Sequence, residues 1–485
     1  MTIENSSCII LNSPGVSAHN GLRSSNSTSP RADGDSQKST SFRYKYKTKL
    51  CRYGSSCKFG TDCKYGHTEK ELRATDNDDK LAKSACYIKA KGKAQVTYSL
   101  YDSAVTNARV PFVPILKKKY HPGPPYTRPL TNIHPYESEL SRVDVPVSQL
   151  QSVGPIAPIE ITKTLFNTID NRTSLSLLVQ ILNKEKVFAV DLEHNQYRSF
   201  RGFTCLIQIS TRDKDFIIDP FPLWKDLHVL NEPFTNPNIL KVFHGARSDI
   251  IWLQRDFGIY VINMFDTQEA MRILEFERLG LGYLVDHYCG IALDKQYQRA
   301  DWRLRPLTPY HLNYARMDTH YLLYCYDRLR NELIKKNKDF LFAVYEESKR
   351  TCLLKYENPI FNSTGYLQYL NKRNSWNDRQ MYVLSKLWGW RDDKARAFDE
   401  SVEYVMCKAD MLKCAKLLPS TFEQVRELFQ SAQHLARGNI SVFHEIIQEA
   451  MEIPISEPNI LRNFTLIGIV AVAIVAFIAL KFFVL

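Results

Sequence analysis

Residues Lys186–Phe203 read KVFAVDLEHNQYRSFRGF. The run Val187-Phe188-Ala189-Val190 consists of apolar β-formers, the pattern of a buried strand. It ends in two acids, Asp191 and Glu193, with Leu192 between them. Strand residues i and i+2 share a face, so the two carboxylates project together. Like charges that close repel, and buried acids are costly unless paired or bound to a metal. A magnesium or manganese ion, each of which takes oxygen ligands, would fit between them. On this stretch alone, a solvated pair of acids at a strand end is an equal reading.

The 485 residues are enough for two or three domains, each with its own core. An apolar content of 44% with 24% charged residues marks an ordinary globular chain rather than a fibrous or wholly disordered one. The net charge of +12 favours an acidic partner, either nucleic acid or an anionic membrane surface. The N-terminus lacks the basic start and apolar run of a secretory signal. The 11 cysteines are mostly scattered, which fits a reduced compartment.

Composition shifts divide the chain. Residues 1–41 are Ser- and Asn-rich and read as disordered. Residues 42–73 form a small basic Cys/His segment, and residues 74–158, with charge runs and prolines, read as an extended arm. Residues 159–355 alternate short β-rich runs (VFAVDLE, TCLIQIS, DFIID, LKVFHGA) with helical spacing in DIIWLQRDF, MFDTQEAMRILEF and HLNYARMDTHYLLYCYDRLRNELI. The expected fold class is α/β, a mixed sheet flanked by helices. Residues 377–452 read as purely helical, with Met381, Leu384, Leu387 and Trp388 on one buried face.

Further acids weigh against the solvated pair. In LKVFHGARSDIIWLQRDF a strand ends at HGA, and Asp249 falls in the first turn of the next helix. In HLNYARMDTHYLL, Tyr314 and Asp318 are i and i+4 and share one helix face. Four acids and a tyrosine on separate elements suit two metals about 3.5–4 Å apart, an arrangement for in-line displacement at phosphorus. One ion would activate a water, the other would stabilise the leaving 3′ oxygen, and Tyr314 would aim the water.

DLEHNQYRSF, GFTCLIQIS, HGARSDIIWLQ and YARMD resemble the three exonuclease motifs of the RNase D-like branch of the DEDD superfamily. The tyrosine four residues before the last Asp marks the DEDDy subclass. Within that branch, VFHGARSDIIWLQRDFGIYVINMFDT and KQYQRADWRLRPL are most similar to the exonuclease associated with the nuclear RNA exosome. The resemblance spans about residues 107–452. It implies an RNase H-like exonuclease fold and two Mg2+ (or Mn2+) ions held by Asp191, Glu193, Asp249 and Asp318, with Tyr314 orienting the water. It further implies removal of 5′-monophosphates from RNA 3′ ends, a nuclear location and association with the exosome core. His194, Trp252 and Lys295 match positions that contact the terminal nucleotide; the plainer readings are a core Trp252 and a surface Lys295. Arg247 and Met317 depart from the family pattern at positions that are not ligands. WNDRQMYVLSKLWGWRDDKARAFDESVEYVM resembles the HRDC domain, which also occurs in DNA helicases.

YKTKLCRYGSSCKFGTDCKYGH places Cys51, Cys57, Cys63 and His67 with gaps of five, five and three residues. Three thiolates and an imidazole suit one closed tetrahedral Zn2+ site, and the segment resembles CCCH zinc fingers. Tyr44, Tyr46, Tyr53, Phe59 and Tyr65 lie among seven basic residues, as single-stranded RNA binding requires. Phe464–Leu480 carries no charge, and residues 464–485 read as a C-terminal transmembrane segment that would tail-anchor the enzyme facing nucleoplasm or cytosol. The function expected is a 3′→5′ exoribonuclease. A membrane-tethered RNA-binding scaffold with an idle nuclease fold and a DNA exonuclease are the alternatives.

Overall fold

The computed structural model describes residues 107–121, 133–370 and 376–454. All of them belong to the compact unit Lys80–Leu485. The zinc-finger residues Cys51, Cys57, Cys63 and His67 lie outside the described residues.

Six strands form one sheet: β1 (Leu165–Ile169), β2 (Val187–Asn195), β3 (Phe203–Ser210), β4 (Lys214–Ile218), β5 (Leu240–Phe243) and β6 (Met264–Asp266). Their order is β1-β4-β3-β2-β5-β6. β3 runs antiparallel to β2 and β4, while the β1–β4, β2–β5 and β5–β6 pairs are parallel. The sheet is therefore mixed, as the α/β pattern requires. Every residue of β3 is buried, which explains why TCLIQIS is nearly continuous in apolar character rather than alternating.

Among the described residues, seven helices of seven or more residues flank the sheet: α1 (Arg172–Leu182), α2 (Arg247–Phe257), α3 (Thr267–Ile273), α4 (Leu281–Cys289), α5 (Pro309–His320), α6 (Leu322–Lys336) and α7 (Lys338–Cys352). On one sheet face Val190, Leu192, Ile207 and Ile209 pack with Leu175 and Leu178 of α1 and Leu253 and Phe257 of α2. On the other face Leu206 and Ile217 meet Ala315 of α5, and Ala189 and Val242 join Leu284, Leu323 and Val344 of α4, α6 and α7. Each such aliphatic side chain contributes roughly 1.5–3 kcal/mol through burial.

MFDTQEAMRILEF has helical spacing, yet its first three residues form β6, with Val242 opposite Phe265 in the parallel ladder. The helix begins at Thr267 because Asp266 caps it, its side chain accepting from the Gln268 amide. Pairing with β5 overrides the local periodicity there.

The C-terminal helical unit has four longer helices: α8 (Asp378–Phe398), α9 (Lys408–Leu417), α10 (Phe422–Leu428) and α11 (Ile440–Met451). Their own core includes Leu384, Leu387, Met411, Phe429, Phe443 and Ile447. Asn377 and Gln380 form a reciprocal capping box at the start of α8. Of the face expected on α8, Leu384 and Leu387 are buried, joined by Val383, whereas Met381 and Trp388 are half-buried.

The sheet and the C-terminal helical unit meet just beyond β2. Arg198 donates to both Glu400 carboxylate oxygens at 2.9 and 2.7 Å, and its guanidinium lies over the Tyr404 ring at 3.9 Å. Asp399 accepts from the Phe200 amide at 3.1 Å and the Ser199 hydroxyl at 3.2 Å. Residues 107–121 cross both units as an extended strap: Arg109 pairs with Asp392 and Asp393, and Lys117 donates to the Lys225 carbonyl.

The expected transmembrane helix requires correction. Among the described residues no helix is long and apolar enough to cross a membrane. The longest, α8, has 21 residues but carries Asp378, Arg379, Lys386, Arg391, Asp392, Asp393, Lys394 and Arg396. Residues 464–485 themselves lie outside the described residues. The tail anchor and membrane partner inferred from that segment are withdrawn with it.

Candidate active site

β2 brings Asp191 and Glu193 to the sheet face covered by α5. Each of Asp191, Glu193 and Asp318 offers a carboxylate oxygen within 4.8 Å of the others. The strand period accounts for the first two, and α5 delivers the third across 125 residues of chain (318 − 193). Immediately after Glu193 the β2–β3 register shifts. Such a bulge re-aims the following side chain, here His194.

Asp249 occupies the first turn of α2 and is buried. It stands outside the three-carboxylate group but close enough for its charge to act on Glu193. The preceding turn is held by Asp266, which accepts from the Gly245 amide at 2.8 Å and the Ala246 amide at 2.9 Å. Gly245 has φ +72, the left-handed region that glycine tolerates.

The electrostatics match four acids crowded without a counter-charge. Burial pushes the Asp191 carboxyl up to about 7. Burial and then the charges of Asp191, Asp318 and Asp249 raise Glu193 well above the usual carboxylate range. Asp249 is raised by burial, then by Asp191 and Asp266; Asp318 by burial and then Asp191, with the nearby Tyr314 hydroxyl opposing the rise. An all-oxygen, electron-rich cluster of this kind fits a divalent cation such as Mg2+ or Mn2+.

Tyr314 lies one turn before Asp318 on α5, on the same helix face. Burial and then the Asp318 charge raise the phenol far above its ordinary value, so it stays a donor. Trp302 and Tyr297 cradle its ring at centroid distances of 5.8 and 6.0 Å. Leu293, Tyr297, Tyr310, Asn313 and Met317 line a groove that ends on Tyr314 and Asp318.

His194 stacks flat on Trp252, with centroids 4.1 Å apart and planes at 4°. Its Nε2 accepts from Arg255 at 3.1 Å. Burial and then the Arg255 charge push its pKa down to about 3, so the ring is neutral. Gly202, at φ +70, passes so close that a Cβ there would sit 2.3 Å from His194 Cε1. Lys295 is exposed, beside Asp294 on the groove wall. Arg247 is also exposed, and its charge acts on Glu269.

Sequence reasoning missed Arg255, Gly202 and Asp266. Arg255 also forks onto Asp256 at 2.6 and 2.7 Å, and Asp256 accepts from the Thr204 amide at 2.8 Å, tying α2 to β3. The visible signal was Asp266 itself, an acid at a strand-to-helix junction in MFDT.

Residues 166–334 match the model of a 3′-5′ exonuclease family, and residues 380–447 match that of the HRDC domain. The chain is 46% identical over 324 residues to exosome complex component 10 homolog of Caenorhabditis elegans, covering 67% of this chain and 37% of the relative. It is 44% identical over 334 residues to human exosome complex component 10, covering 67% and 37%. The chain thus spans a little over a third of these curated relatives. The crystal structure of the catalytic core of RRP6 from Trypanosoma brucei superposes with a TM-score of 0.69 at 35% identity, covering 75% of this chain and 99% of that one.

Proposed function

We propose that this chain, which belongs to the exosome component 10/RRP6 family of 3′-5′ exonucleases, hydrolyses RNA from its 3′ end and releases 5′-monophosphates. The observation that carries the reading is the cluster of Asp191, Glu193 and Asp318 within 4.8 Å, with Tyr314 one turn before Asp318 on the same helix face. Two divalent cations at such a site supply an activated water and stabilise the leaving 3′ oxygen.

Asp191, Glu193, Asp249 and Asp318 hold the ions. Tyr314, kept protonated, orients the attacking water. The flat His194–Trp252 pair forms a wall for the terminal nucleotide, and exposed Lys295 meets a phosphate. Stacking faces and a mobile cation recognise nucleotides without regard to sequence. The names of the relatives support association with an RNA exosome. In the N-terminal segment, Cys51, Cys57, Cys63 and His67 bind one Zn2+ in a CCCH finger that engages single-stranded RNA, a reading supported by their spacing and the surrounding aromatic and basic residues.

Time courses on single-stranded RNA and DNA of one sequence, with and without Mg2+, test this. Mg2+-dependent release of 5′-nucleotides from RNA is expected, and Asp249→Asn should abolish it while the protein stays folded and binds RNA. Undiminished hydrolysis by Asp249→Asn, or a preference for DNA, overturns the assignment.

A further inference from the structure

Gln208 is fully buried in the middle of β3, and neither its Nε2 nor its Oε1 has a hydrogen-bond partner among the described residues. An unpaired buried amide costs stability, and native interiors contain few of them. Its surroundings locate it. Gln208 is the cross-strand partner of Asp191 on β2 and of Ile217 on β4. Directly opposed residues of an antiparallel pair point to the same face, with their Cβ atoms about 4.5–5.5 Å apart.

That face lies under α5. Two residues before Gln208, Leu206 packs in one cluster with Ala315. Two residues after it, Ser210 meets the Thr319 hydroxyl at 2.7 Å. The Gln208 amide is thus bracketed beneath the turn of α5 that carries Asp318, with Asp191 beside it.

We propose that Gln208 is a positioning residue for the carboxylate site: its amide N–H steadies the Asp191 carboxylate when the site holds a divalent cation. This rests on the exonuclease reading above. It explains why the fold retains a buried amide with no hydrogen-bond partner among the described residues. Oxygen ligands of metals are commonly fixed by donors of this kind, whose loss weakens metal binding or activity about 10–100-fold.

Gln208→Met preserves length and burial but removes both donor and acceptor. In the full-length protein without metal, its melting temperature should equal or exceed that of the parent, because an unpaired amide is gone. The Mg2+ concentration giving half-maximal thermal stabilisation should rise about tenfold, and kcat should fall about tenfold with KM for RNA unchanged. The proposal is overturned by an unchanged Mg2+ midpoint and kcat in Gln208→Met, or by a fall in metal-free melting temperature that accounts for the lost activity. If the parent protein itself shows neither Mg2+-dependent stabilisation nor RNA hydrolysis, the exonuclease reading fails instead.

Discussion

At the scale of single residues, the site is strained by charge rather than by backbone. Glu193 faces Asp191, Asp318 and Asp249 at once, and all three raise it after burial does. Glu193→Gln removes one charge from this cluster, so the metal-free protein should become more stable, by about 1 kcal/mol, while hydrolysis is lost. Urea denaturation in a chelator, paired with an RNA assay in Mg2+, checks both halves; a destabilised variant would refute the repulsion. Gly202 shows the reverse coupling. Ala at φ +70 costs about 1–2 kcal/mol, and its methyl would displace His194 from Trp252. Gly202→Ala should therefore lose stability and show a raised KM with a smaller effect on kcat. Asp191, Glu193, Tyr314 and Asp318 were legible because i, i+2 on a strand and i, i+4 on a helix fix their faces before any tertiary contact forms. Gly202 and Arg255 were not, because their importance lies in touching His194, Gly202 through the turn after β2 and Arg255 from 61 residues away, and no local periodicity reports either contact.

At the scale of elements, the loop after β2 is as constrained as the strand. Arg198 and Glu400 are 5% and 4% exposed in their side chains, so their ion pair is almost fully desolvated. Removing one partner from such a pair leaves a buried charge and costs about 3–5 kcal/mol. Glu400→Ala is expected to lose that much in equilibrium denaturation, and Arg198→Met combined with Glu400→Leu much less. Equal losses in single and double variants would show that the pair is not coupled. Sequence periodicity identified β2, β3, α2 and α5, where propensity and burial agree. It misread β6, a strand of 3 residues whose identity depends on the ladder with β5, and it contained no trace of the Arg198–Glu400 contact, made across 202 residues.

Across the whole molecule, the fold gathers acids from β2, α2 and α5 into one buried volume, so cation binding and stability become a single equilibrium. The motifs made that gathering legible, since each fixes the face of the strand or helix on which its acid lies. The terminal apolar run misled because hydropathy reports length and composition without a structural partner. The linkage has a definite sign. Asp191 titrates near 7 in the fold against about 4 in an unfolded chain, and Glu193, Asp249 and Asp318 are raised in the same direction. The folded metal-free protein thus binds protons more tightly than the unfolded one: the Asp191 contribution is fully present below about pH 4 and is lost as pH rises through about 7, and the other three acids act in the same direction. His134 opposes this at the acid end: burial pushes it down to about 4, and its contribution is lost as pH falls from about 6.5 toward 4. The quantity that isolates the cluster is the Mg2+-induced rise in melting temperature, since the same His134 term enters with and without the ion. That rise should be small at pH 5 and several degrees at pH 8, because cation and proton compete for the same oxygens. Asp191→Asn should flatten the dependence. A rise independent of pH between those values would mean that the ion binds elsewhere.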